Sequence, residues 1–152
     1  MGLDMYIESN KRSQVMAWRK ANHIHGWFQR KLGEVINCKR HPIKLSDIED
    51  LLDVCIKVKD SLIAGGMYLK DTVVERTYNM TKGQWDDKVE PRPHFKNTKL
   101  ALELLPSVDG PFFGDNSIDE WYLKDIEDTI ETLTEVLSTK QTNERFYYLA
   151  WW

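Results

Sequence analysis

The chain starts and finishes on short stretches suited to β-structure, and two lone strands gain most by lying against each other. Residues 3–8 alternate, with Leu3, Met5 and Ile7 on one side and Asp4, Tyr6 and Glu8 on the other, the period of a half-buried strand. Ser9-Asn10 breaks it. Phe146 to Trp152 is a run of β-favouring aromatics interrupted only by Leu149 and Ala150. Pairing the two runs buries both apolar ends and leaves neither isolated. The long segments between them carry helical periodicity. The expected fold is therefore α+β: one domain over 1–152, three main helices, and a small sheet formed by the terminal strands. Part of an irregular insertion at about 67–96 is a candidate addition to that sheet.

The first helix is read from about Ser13 to Leu32 and ends at Gly33, a C′ glycine. A loop holding Cys38, His41 and Pro42 follows. Ser46-Asp47-Ile48-Glu49 is a capping box opening a second helix to about Ala64, with Ile48, Leu51, Cys55, Val58 and Leu62 as its apolar row. Residues 67–96 hold no steady period, and Pro91 and Pro93 enforce extended backbone, so this part reads as a hairpin-like or mobile insertion. Asn97 or Thr98 starts a short helix through Leu105, closed by Pro106. Ser117-Ile118-Asp119-Glu120 is a second capping box for the last helix, with core positions Leu123, Ile126, Ile130, Leu133 and Leu137.

Chemistry-bearing residues concentrate between Ala17 and Phe28. On one continuous helix, Ala17, Ala21, Ile24, Phe28 and Leu32 form a core stripe, and Trp18, Asn22, His25 and Gln29 form a second row beside it. Arg19, His23 and Arg30 lie further round, toward solvent. An aromatic, an amide and an imidazole beside an apolar stripe supply a stacking face, a two-way hydrogen bonder and a titratable donor for a small polar ligand. Arg19 adds a planar fork suited to phosphate and Lys20 a point charge. Tyr6, Trp121, Tyr122 and the adjacent pair Phe112-Phe113 before Gly114 add further faces for a base; two neighbouring aromatics cannot both face one core, so one of that pair is expected outward.

Net charge is −3, which argues against a long nucleic acid as partner. The charge is uneven: nine Lys or Arg against one acid from Lys11 to Lys44, and eight Asp or Glu against one base from Asp115 to Glu135. Either the two segments face each other, within the chain or across a homo-oligomer, or the basic half holds an anionic small molecule. Two cysteines without a CxxC fit a reducing cytoplasm and no disulfide scaffold. No signal peptide or membrane span is expected.

Four stretches together carry a resemblance: Met1-Gly2-Leu3-Asp4-Met5-Tyr6; Trp18-Arg19-Lys20-Ala21-Asn22-His23-Ile24-His25-Gly26-Trp27-Phe28; Glu103-Leu104-Leu105-Pro106 with Phe112-Phe113-Gly114; and Asp119-Glu120-Trp121-Tyr122. They resemble a family of small uncharacterised proteins of tailed bacteriophages and their hosts. The resemblance spans about half the chain and brings no catalytic residues with it. It implies a context in the host cell cytoplasm, where small phage proteins often blunt host defence, one class of them by enclosing a nucleotide immune signal without cleaving it.

Metal chemistry is disfavoured, because His23 and His25 two apart on a helix point away from each other. No GxSxG or GxxxxGK[ST] motif occurs, and Cys55 belongs to a core row. Asp4, Asp119 or Glu120 with His25 could serve acid–base chemistry, but acids at a helix start are explained by the helix dipole. The expectation is a non-enzymatic, cofactor-free, homo-oligomeric protein that sequesters a nucleotide-derived ligand through Trp18, Arg19, Lys20, Asn22 and His25. Tyr6, Trp121 and the Phe112–Gly114 loop assist. The alternatives are a protein–protein inhibitor using the acidic last helix or aromatic tail, and a small nucleotide-processing enzyme.

Overall fold

A computed structural model describes residues 2–152; Met1, which opens the first of the four stretches, lies outside them. The elements in order are β1 (Asp4–Ser9), β2 (Ser13–Arg19), α1 (Asn22–Leu32), β3 (Arg40–Ile43), α2 (Leu45–Gly65), β4 (Met67–Asn79), β5 (Gln84–Phe95), α3 (Lys99–Leu104), α4 (Glu120–Ser138) and β6 (Phe146–Trp151). The fold is mixed α+β with two antiparallel sheets and four helices, the three main ones and the short α3 expected to start at Asn97 or Thr98.

The larger sheet has the order β2-β1-β6-β3, so the terminal strands pair at its centre, Met5 opposite Ala150 and Ile7 opposite Tyr148. Alternation then decides which side chains are inside. Met5, Ile7, Met16, Trp18, Phe146, Tyr148 and Ala150 are buried on one face. Tyr6, Ala17, Tyr147 and Leu149 fall on the other. α1 lies across the buried face, where Phe28 stacks on Tyr148 with ring centroids 3.8 Å apart. α4 reaches the same face through Trp18, whose Nε1–H donates to Thr129 Oγ1 at 2.7 Å. α2 packs behind against α3 and α4, burying Ile48, Leu51, Cys55, Val58 and Leu62, the row its spacing of three and four predicts. Each fully buried Leu or Ile of this core contributes roughly 1.5–3 kcal/mol.

The largest departure from expectation lies at residues 13–19. These form the edge strand β2, and α1 begins only at Asn22 after a turn in which Lys20 has φ +56°. Leu3 to Glu8 favours a hairpin partner, and β2 supplies it with Met16 and Trp18 turned inward at period two. The single helical row Trp18–Asn22–His25–Gln29 therefore does not exist. α4 starts at Asp119 and not at Ser117: the Asp119 carboxylate accepts from the N–H of Trp121 (3.0 Å) and Tyr122 (3.2 Å). Its buried face runs Tyr122, Ile126, Thr129, Leu133 and Val136, so Ile126 and Leu133 are central while Leu123, Ile130 and Leu137 flank it.

The insertion is an ordered two-stranded ribbon. β4 pairs with β5 from Met67↔Phe95 to Asn79↔Gln84, with one bulge between Val73 and Glu75, and forms a sheet of its own, not an addition to the terminal one. β3 was expected as loop; its Pro42 is tolerated because β3 is an edge strand. No helix among the described residues is long and apolar enough to cross a membrane.

Candidate functional site

A cleft of about 250 Å³ opens where the β2–α1 turn meets the loop before α4. Arg19, Lys20 and His23 line one side, Gly114, Asp115 and Ser117 the rim, and Asp119, Trp121, Tyr122 and Asp125 the other side. The turn at Lys20 is held by its N–H donating to Leu3 O (2.6 Å) and by Asn22 N–H donating back to Lys20 O (2.9 Å). Gly114, at φ +92°, lies close enough to Lys20 that an added Cβ would meet Lys20 Cβ at 3.1 Å, so the loop rests directly on the turn.

The residues expected to act together divide into three groups. Arg19, Lys20, Gly114 and Trp121 share the cleft. Arg19 has a side chain 74% exposed and reaches only Asp4, at 3.9 Å. Trp121 is 62% exposed, an indole face open to solvent.

Trp18, Asn22, His25 and Phe113 are buried and serve structure. Asn22 Nδ2 donates to Phe113 O (3.1 Å), Asp115 O (3.1 Å) and Asn116 Oδ1 (3.3 Å), clamping the rim loop onto the start of α1. His25 Nδ1 bonds Tyr148 Oη at 2.8 Å, and Phe113 and Trp152 meet its ring edge-on. Burial pushes its pKa down to about 4, so it is neutral at pH 7.

Tyr6 and Phe112 stand apart. Tyr6 lines a separate groove with Gly2, Asp4, Trp151 and Trp152, and Phe112 is the outward member of its pair.

His23 and Asp125 are the cleft residues that sequence reasoning missed. A helix continuous from Ser13 would turn His23 to solvent. With α1 starting at Asn22, the imidazole instead stacks on Tyr122 with centroids 4.1 Å apart, and its Nε2 has no hydrogen-bond partner. Desolvation lowers its pKa to about 3. Asp125 is raised to about 7, by burial first and then by Asp128 and Asp119, against Lys124. Its signal in the sequence was a carboxylate one position from Ile126 on the inner side of α4.

None of the cations from Lys11 to Lys44 forms an ion pair with an acid of the 115–135 segment among the described residues; Arg12, Lys31 and Arg40 pair with Glu144, Asp47 and Asp50, and Glu8. The two charged segments pack together through Trp18 and Thr129 and also face each other across the cleft. Among the described residues no three His, Cys, Asp or Glu side chains stand together as a metal site.

Comparison with protein families, curated proteins and solved structures returns no match.

What the cleft offers is chemically mixed. Two cations stand on one lip, an aromatic face and acceptor oxygens on the other, and neutral imidazole forms part of the wall between. That set suits a ligand with an anionic end and a flat head rich in N–H donors.

Proposed function

We propose that this chain binds a small nucleotide-like molecule in the cleft and holds it without converting it. The observation that carries the reading is the meeting of Arg19 and Lys20, both without a close ion-pair partner, with the open indole of Trp121 and the carboxyl of Asp125, whose pKa burial raises. The phosphate would lie against the two cations and the base on Trp121, with its exocyclic amino group donating to Asp125 or Asp115. A volume of about 250 Å³ suits one nucleotide unit more than an extended strand. Ser117 Oγ donates to Asp115 Oδ1 at 3.0 Å, which fixes the rim.

The wider setting, a phage-type anti-defence protein that withdraws a nucleotide signal in the host cytoplasm, is supported only by the resemblance of the four stretches. The test is calorimetric titration with a panel of mono- and cyclic nucleotides, each against its own nucleoside. A phosphate-dependent affinity should appear for at least one of them. Arg19→Ala should weaken it by roughly 1.5–3 kcal/mol with an unchanged melting temperature. Equal binding of nucleotide and nucleoside, or none by any, refutes the reading. A chemically altered nucleotide recovered after incubation makes the protein an enzyme instead.

A further inference from the structure

The β4–β5 ribbon presents a largely apolar face that, outward of the buried Phe95 at its base, the chain leaves exposed. Following the register through its bulge, Leu69, Val73, Tyr78, Trp85 and Val89 share that face with Pro91 and Pro93. Leu69 is 70% and Trp85 65% exposed. The opposite face is mostly polar and is tied to the body by Arg92 Nη1 donating to Glu120 at 3.0 Å, while the edge of β5 bridges through its backbone from His94 to Asp119. A free two-stranded ribbon is at best marginally stable, so an uncovered apolar side calls for a partner.

We infer that this face is where two copies of the chain mate. Over 67–95 the ribbon carries five Lys or Arg and five Asp or Glu, so two copies do not repel, and neither nucleic acid nor an anionic surface is favoured. Only Asp71, Arg76 and Asp87 interrupt the apolar face. Arg76 pairs with Asp87 at 3.1 Å, whereas Asp71 has no ion pair among the described residues. A two-fold axis across the ribbon at the Val73–Val89 pair lays β4 on β4 and β5 on β5 in opposite directions. Asp71 then stands over the partner's Arg76, Pro93 over the partner's Trp85, and Leu69 over the partner's Tyr78. The surface is complementary to itself, as a closed dimer requires. Thirteen residues of β4 span about 40 Å at roughly 3.3 Å each, and a width near 10 Å gives a footprint on the order of 400 Å² per copy. Two copies together reach the size class of a weak, concentration-dependent dimer.

Sedimentation velocity from micromolar to millimolar protein tests this. The wild-type chain should pass from monomer to dimer with concentration. Asp71→Arg and Arg76→Asp, each setting like charges opposite one another twice, should each weaken the dimer by roughly tenfold or more. An equimolar mixture of the two restores both Asp–Arg contacts and should dimerise more tightly than either alone. Circular dichroism checks that each variant keeps its fold. A wild-type monomer at every concentration, a mixture no tighter than its components, or a dimer unaffected by Leu69→Asp overturns the inference. So does a wild-type monomer that co-purifies with a host protein bound to this ribbon.

Discussion

Glu144→Gln is the substitution whose cost the structure specifies best. Glu144 sits in the bend before β6 with its side chain fully covered, near the rim of the molecule. It accepts from Arg12 Nε at 2.7 Å and Arg12 Nη2 at 2.9 Å, a two-pronged charge-assisted contact, and from the Gln141 N–H at 3.0 Å and the Ser9 hydroxyl. Burial alone would raise its pKa; the bonds from Arg12, Gln141 and Ser9 outweigh burial and bring it from 4.5 down to about 2. A carboxylate depressed in the folded state adds stability above its unfolded pKa and loses it as pH falls. The window here is 4.5 down to about 2. The drop sets a ceiling of about 3 kcal/mol, nearer 2 kcal/mol once solvent screening at the rim is allowed for. Urea denaturation of wild type and variant at several pH values is the assay. At pH 7 the variant should be less stable by about 2 kcal/mol, or roughly 4–8 °C in melting temperature. Near pH 2 the two should converge. His23 and His25, buried and neutral, take up protons on unfolding and weaken both proteins below about pH 6.5, so the difference between the curves isolates Glu144. A gap that stays constant with pH, or a variant within a few tenths of a kcal/mol at pH 7, would refute the argument.

Asp125→Asn should raise stability at pH 8 by roughly 1–3 kcal/mol and change little at pH 4, because charging the raised carboxyl penalises the fold between 3.8 and about 7; chemical denaturation at both pH values reads it. Trp18→Phe removes the Nε1–H donated to Thr129 and should cost about 1 kcal/mol by the same assay, with ligand binding retained because Trp18 lies outside the cleft. A thiol reagent should titrate Cys38 at once in native protein and reach Cys55, whose thiol burial pushes up to about 12, only after unfolding.

Much of the fold was legible from local patterns. The alternation of Leu3, Met5 and Ile7 and the aromatic run after Arg145 marked two strands, and their pairing followed from the cost of leaving either alone. The row from Ile48 to Leu62 specified α2 because every third or fourth position is apolar. The stretch 13–19 defeated that logic. Val15, Met16, Ala17 and Trp18 are apolar in succession, which fits either period, and the residue before α1, Ala21, offers no side-chain cap to mark its start. The error carried into the site: it joined Trp18 to Asn22 and His25 and sent His23 outward. Arg19, Lys20, Gly114 and Trp121 still came together, because the turn and the rim loop are neighbours in space whichever element precedes them. The position of Asp125 beside Ile126 is readable from spacing, but its raised pKa is not, because that depends on burial.

β6 follows every other strand of the larger sheet in the chain and yet is interior to that sheet. Ser9 and Glu144, joined by a hydrogen bond, are 135 residues apart, so the contact closes nearly the whole chain into one loop. A ribosome still short of residue 146 holds a β1–β2 hairpin with one flank bare and a β3 with no strand beside it. Removing Phe146–Trp151 would thus take out the midline that joins the two halves of the sheet, not trim its margin. Pairing β6 with β1 is a contact of very long sequence separation, the kind that slows folding relative to local contacts.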